Sequence, residues 1–131
     1  MHLGCTLYIQ DTLTAVPFYL DAFGLTLGYC AHHPDGTYMH ATLMRDGQEI
    51  FCVSECANPP LVDALLATPA MPPTSLGLDF PTLEEARRAF DLLAAGGNVI
   101  RPFGILPWDN GSGDVIDRWG VCWYLCCPKQ G

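Results

Sequence analysis

Basic residues are scarce in this chain. Lys and Arg number 6 against 14 Asp and Glu in 131 residues, a formal charge of −8. Such a field repels phosphate backbones and anionic lipid headgroups, so neither nucleic acid nor a membrane is an expected partner. A neutral or cationic small molecule is electrostatically compatible. Also missing are a basic n-region and any apolar run long enough to span a bilayer, and the expectation is a soluble, cytoplasmic protein without a targeting signal. The seven cysteines (Cys5, Cys30, Cys52, Cys56, Cys122, Cys126 and Cys127) include no C-x-x-C pair. Reduced, buried thiols are expected rather than a disulfide framework. There is no G-x-S-x-G, no phosphate-cradling glycine loop, no basic aromatic patch, and no recognisable trio of nucleophile, base and orienting group. Charge is low overall, yet half the residues are hydrophobic, which argues against disorder. The length suits one domain with a substantial core.

What is present centres on residues 113–127, G-D-V-I-D-R-W-G-V-C-W-Y-L-C-C. Asp and Gly at 117–120 supply turn chemistry between two β-prone flanks, so a hairpin is expected, with strands at 114–117 and 121–127. Alternation on the second strand puts Val121, Trp123 and Leu125 on one face and Cys122, Tyr124 and Cys126 on the other. Trp123 needs a deep partner surface, so its face is expected beneath a helix, leaving the Tyr124 face open. Nothing basic neighbours the cysteines of that face in sequence to lower a thiol pKa, and they read as small wall-forming residues.

The rest of the chain reads as a repeat. A strand at 3–9 leads to a helix capped by Asp11 or Thr12, with Leu13, Val16, Leu20 and Phe23 as its apolar stripe and Gly24 as its stop. Pro17 implies a later start, near Thr14, or a kink. Strands follow at 25–31, 37–44 and 49–54, joined by P-D-G and R-D-G turns. Residues 55–74 carry Pro59, Pro60, Pro69, Pro72 and Pro73 and read as a linker or flap, with about two helical turns at 61–67. The pattern then recurs: a strand at 75–80, a helix opened by the T-x-x-E capping box of Thr82 and Glu85, a strand at 98–102, a long Gly- and Pro-containing loop, and the hairpin. Gly4 overlays Ser75, Gly24 overlays Gly96 and Gly47 overlays Gly120, an offset of about 71 to 73 residues. The expected fold is α+β: two βαβββ modules forming an incomplete barrel around a central cavity. The half-modules are 1–55 and 75–128, with a Pro/Ala-rich linker at 56–74, within one domain spanning 1–131.

Five segments carry a family resemblance: P-F-Y-L-D-A-F-G at 17–24, Y-M-H-A-T-L at 38–43, D-G-Q-E-I at 46–50, A-G-G-N-V at 95–99 and D-R-W-G-V-C-W at 117–123. In order and spacing the chain resembles the vicinal oxygen chelate superfamily of glyoxalase I, bleomycin-resistance proteins and extradiol dioxygenases, in particular its PhnB-like branch. The resemblance implies the glyoxalase-type fold and a homodimer. Metal-dependent members place His, Glu or Gln at four inward strand positions, which fall here on Gly4, Phe51, Ser75 and Tyr124. None of these is a good ligand for a divalent ion, so no cofactor is expected.

The expected function is small-molecule binding in a cavity lined by Gly4, Thr6, Tyr8, Phe51, Ser75, Asp79, Trp108 and Tyr124, with His40 as an acid/base or hydrogen-bonding group. Asp79, a carboxylate in an apolar strand, is either a cavity acid or an ion-pair partner of Arg101. Trp108, in a loop, is expected to stack on a ligand or a partner subunit. His32 and His33 read as surface residues. Two alternatives are a lyase or isomerase whose divalent metal is held by a non-standard set such as His2 and His40, and a metal-free acid/base enzyme using His40 or Asp79.

Overall fold

The computed structural model describes residues 1–57 and 61–130. Along the chain run β1 (Thr6–Ile9), α1 (Thr12–Phe23), β2 (Thr26–His32), β3 (Tyr38–Arg45), β4 (Gln48–Glu55), α2 (Val62–Ala67), β5 (Leu76–Asp79), α3 (Leu83–Ala94), β6 (Asn98–Gly104), β7 (Asp109–Ile116) and β8 (Cys122–Pro128). Two compact units divide at residue 60. Each contains a βαβββ module with a four-stranded sheet, ordered β1-β4-β3-β2 in the first and β5-β8-β7-β6 in the second. In both, the first strand pairs in parallel with the last, the remaining pairs are antiparallel, and neither sheet closes into a barrel. The α+β class and the duplication are as expected from sequence. No helix among the described residues is long and apolar enough to cross a membrane.

In the first module α1 covers one face of the sheet. Its buried side is Thr12, Ala15, Val16, Tyr19, Ala22 and Phe23. This stripe is rotated from the expected one, since Leu13 is half exposed. Pro17 lies within α1, which starts at Thr12. The N-terminus is capped from a distance: Glu55 accepts hydrogen bonds from the Asp11 and Thr12 backbone N–H groups, both at 3.0 Å, and from Thr12 Oγ1 at 2.7 Å. Asp11 itself sits in the left-handed region with no side-chain cap. The carboxylate thus meets both the orphan N–H groups and the positive end of the helix dipole.

Phe51 does not face the open side of the sheet. It is 2% exposed and lies beneath α1, with ring centroids 5.6 Å from Tyr19 and 6.2 Å from Phe23. A register shift between Leu43 and Met44 in the β3–β4 ladder separates the turn from the strand by one extra residue. A one-residue slip exchanges the two faces of a strand. Cys52, which pairs with Thr6, therefore occupies the position that Tyr124, paired with Gly77, holds in the second module.

In the second module Trp123 is 1% exposed, on the face covered by α3, and its Nε1 donates to Asp117 Oδ2 at 2.8 Å. The capping Thr82 accepts from the Glu85 N–H at 3.1 Å, as the T-x-x-E pattern predicts. The long loop expected before the hairpin is largely absent, because β7 begins at Asp109. Its glycines serve packing rather than looping. A Cβ at Gly113 would overlap the Phe90 ring, and one at Gly111 would overlap Leu83 and Phe103. Bare backbone at these two positions lets α3 seat directly on the strand.

The Pro-rich stretch is tied to the second module where it is described. Asn98 Nδ2 donates to the Leu65 and Thr68 carbonyls at 3.0 and 2.8 Å, and Cys122 Sγ lies 3.6 Å from Met71 Sδ. Pro59 and Pro60, part of the expected linker, lie outside the described residues.

Candidate functional site

The sequence candidates fall into two groups, one in each unit. In the first, Gly4, Thr6 and Tyr8 lie along the exposed side of β1 and the segment leading into it, and Tyr8 is 68% exposed. His40 stands on the same open face, half-buried, with Nε2 3.0 Å from Thr42 Oγ1 and its ring 6.0 Å from that of Tyr29. Thr42 pairs with Cys52, whose thiol is pushed up by burial, against a hydrogen bond with Thr42. His2 is exposed, ahead of β1. His32 is exposed and bonds the Gly36 carbonyl through Nδ1, while His33 is half-exposed.

The second unit brings more chemistry together. Register alone puts Gly77, Asp79, Tyr124, Cys126, Ser112, Asp114 and Arg101 on one face, since Gly77 pairs with Tyr124, Asp79 with Cys126, Cys126 with Ser112, Tyr124 with Asp114 and Asp114 with Arg101. Tyr124 Oη donates to Asp109 Oδ2 at 2.7 Å and accepts from Trp108 Nε1 at 3.2 Å. Asp109 is 1% exposed and also receives the Leu106 N–H at 3.0 Å. Arg101 donates from Nε to Asp114 Oδ2 at 2.7 Å, from Nη1 to the Ser112 carbonyl at 3.2 Å and from Nη2 to Ser112 Oγ at 2.7 Å. One polar network thus runs from the Trp108 turn across β8 and β7 to β6.

The electrostatics fix its proton positions. Burial would raise the Asp109 carboxyl, but hydrogen bonds from Ser112, Tyr124 and the Leu106 amide, with the Arg101 charge, bring it below the ordinary carboxylate value. Asp109 is therefore an anionic acceptor at neutral pH. Burial, with the Asp109 hydrogen bond next, pushes Tyr124 up to about 12, so its phenol stays a donor. Cys126 donates to Asp79 Oδ1 at 3.1 Å, and burial followed by that hydrogen bond pushes its thiol to about 12. Cys122 is pushed to about 11 by burial and then by the charges of Asp114 and Asp117. Neither thiol supplies a nucleophile near neutrality.

Of the expected site residues, Trp108 and Tyr124 are in direct contact, and Asp79 joins them through Cys126. Ser75 is exposed just before β5. Arg101 pairs with Asp114, not with Asp79. Asp109, Ser112 and Asp114 were missed. For Ser112 and Asp114 the signal is the alternation in G-S-G-D, which the glycines disguise as a loop; Asp109 lies beyond a register shift in the ladder and carries no such signal.

Comparison with known proteins locates the fold. No protein-family profile matches the chain. A curated relative, protein YjdN of Escherichia coli strain K12, is 39% identical over 56 residues, which span 43% of this chain and 38% of the relative. The match thus spans less than half the length of that protein. Among solved structures, a PhnB protein from Bacillus cereus superposes with a TM-score of 0.74 at 24% identity, covering 97% of this chain and 99% of the other. Protein PA1353 from Pseudomonas aeruginosa gives 0.74 at 26% identity, covering 99% of each chain. The fosfomycin resistance protein FosX from Listeria monocytogenes gives 0.66 at 13% identity, covering 98% and 94%. The resemblance read from the sequence therefore holds at the level of the fold: the chain has the vicinal oxygen chelate fold and is similar in fold to a PhnB protein.

Proposed function

We propose that this chain, built on a vicinal oxygen chelate fold, is a small-molecule-binding protein that works without a bound metal, and that its ligand rests on the open face of the second sheet beside Trp108. The observation that carries this reading is the state of Trp108. Its indole is 65% exposed, yet its N–H is held by Tyr124, which is held in turn by the buried Asp109. A large exposed aromatic fixed in orientation is a stacking platform, and polar groups of defined direction lie beside it.

The positions that the resemblance gives to metal ligands support a metal-free reading. Gly4 has no side chain, and Ser75 offers a neutral hydroxyl. The third, Cys52 by the corrected register, has a thiol raised by burial. Tyr124 remains a phenol to about pH 12, its O–H donated to the Asp109 carboxylate. This donor set does not suit zinc or a facial iron triad. Among the described residues no three His, Cys, Asp or Glu are grouped to hold an ion. The seven unpaired thiols fit a reducing compartment such as the cytoplasm. A homodimer is part of the proposal, on the strength of the resemblance.

The test is a titration of purified protein with indole and 2-naphthol, followed by intrinsic fluorescence and thermal shift, in wild type and Trp108→Ala. Saturable binding lost in Trp108→Ala supports the reading. Absence of binding by either compound, or binding that survives Trp108→Ala unchanged, refutes the site. Stoichiometric metal in protein purified from cells refutes the metal-free part.

A further inference from the structure

Resting on that reading of the face, we infer the chemical class of the ligand: a cationic amine joined through an aromatic centre to an uncharged carbonyl about 10 Å away, as in an amidated aromatic peptide. The amine end follows from Asp79. It is exposed, stands on the edge strand β5, and among the described residues receives one hydrogen bond, from the uncharged thiol of Cys126. Among the described residues no salt bridge engages it, so it offers a negative charge to an incoming cation. Beside it Gly77 presents bare backbone, so the approach along β5 is not blocked by a side chain.

The other end follows from Arg101. Three of its five N–H groups are engaged by Asp114 and Ser112, leaving two without a protein acceptor among the described residues, and its side chain is 27% exposed. These two donors invite an acceptor. Its charge is set by the surroundings, for Arg101 is paired with Asp114 and lies within electrostatic reach of Asp109, which is held below the usual carboxylate range. With two carboxylates to one guanidinium, a third carboxylate would be repelled, whereas an amide or ring carbonyl accepts the same hydrogen bonds without that cost. The separation follows from register. Asp79 pairs with Cys126 and Cys126 with Ser112, so two strand spacings, about 10 Å, lie between Asp79 and the hydroxyl that anchors Arg101. Tyr124 stands on the strand between them, with Trp108 at its hydroxyl.

The probe is the tripeptide Gly-Phe-Gly-amide, which spans about 10 Å when extended. It is compared by calorimetry with its N-acetylated form and with the free acid. Wild-type protein is expected to bind the amide more tightly than either by on the order of fivefold, the scale of one partly exposed charge interaction. Asp79→Asn, a surface change expected to leave the melting temperature unmoved, should erase the preference for the free amine and retain the preference for the amide over the acid. Arg101→Lys should weaken both C-terminal forms, since a lysine lacks the fork that holds Ser112 and Asp114 together. The inference is overturned if wild type binds the acetylated peptide as tightly as the amine, if it prefers the acid, or if Asp79→Asn keeps the amine preference. If no tripeptide binds while indole does so through Trp108, the ligand class falls and the binding face stands. If neither binds, both fall.

Discussion

Replacing Tyr124 by Phe removes one oxygen and tests the centre of the proposed site. The ring keeps its place on β8, so packing is conserved, but two hydrogen bonds are lost: the 2.7 Å donation to Asp109 and the 3.2 Å acceptance from Trp108. The second lies at the surface and contributes little. The first is charge-assisted, and such bonds are worth about 1.5–3 kcal/mol. Asp109 is 1% exposed, so its carboxylate cannot recover full hydration, but Ser112 and the Leu106 amide still serve it. The expected loss is about 2 kcal/mol, read as a lower urea midpoint at unchanged m-value. Three readouts should move together. Urea unfolding gives the energy. The Trp108 indole N–H resonance should shift and exchange faster, having lost its acceptor. The acid limb of stability should also flatten. A carboxyl held below its unfolded value of about 3.9 stabilises the fold above that pH, and the contribution is lost as pH falls through the folded value. Without the Tyr124 bond the depression shrinks, and so does the loss. An unchanged midpoint with an unmoved Trp108 resonance would refute the claim that Asp109 holds the platform in place through Tyr124.

Phe51→Ala should cost about 3–5 kcal/mol in denaturant unfolding, the range for a buried phenylalanine, whereas a position on an open wall would cost under about 1 kcal/mol. Gly113→Ala should destabilise by about 1–3 kcal/mol because its Cβ meets the Phe90 ring, while Gly77→Ala, whose Cβ meets Tyr124 Cδ2 only at 3.7 Å, should stay within about 0.5 kcal/mol. Glu55→Gln should lose on the order of 1 kcal/mol through the weakened cap on α1, measured by thermal melting at neutral pH. Stability should fall on the alkaline side. Cys122, Cys126 and Tyr124 have folded values of about 11, 12 and 12, so the unfolded chain loses protons first, and the contribution present below about pH 8.5 drains away as pH rises towards 12. A stability plateau between pH 9 and 11 would contradict those shifts.

How much of this was legible in the sequence depended on whether a local pattern had one structural meaning. The duplicated module was legible because turn glycines, helix stops and β-branched runs recur at one offset, and each copy independently implies the same element order. Alternation puts Trp123 and Tyr124 on their observed faces because the ladders along β8 are unbroken from Cys122 to Cys127. The stripe of α1 was misjudged because nearly every residue from Leu13 to Phe23 is apolar or small, so helical periodicity there selects no unique face. Its cap was illegible for another reason: Glu55 lies 44 residues from Asp11, and no local spacing rule reaches that far.

The site shows the same division more sharply. Counting from a turn glycine puts Phe51 on the open face, and counting assumes an unbroken ladder. The irregularity at Leu43 and Met44 leaves no trace in composition, yet it moves the residue from the open face to beneath a helix and puts Cys52 in its stead. In β7 the ambiguity ran the other way. A glycine every second residue is what a loop looks like, and also what a strand needs where a helix presses against it. Only the position of Phe90 over Gly113 separates the two. Once that strand is in place, Ser112 and Asp114 lie on the Tyr124 face by register alone, which gives the Arg101 end of the network, while the Trp108 end rests on the side-chain bonds from Trp108 to Tyr124 and from Tyr124 to Asp109. The proposed ligand face therefore depends on two glycines that contribute no chemistry to it. Substituting either should disturb Arg101 and Asp109 by tilting β7, with no side chain of the face changed.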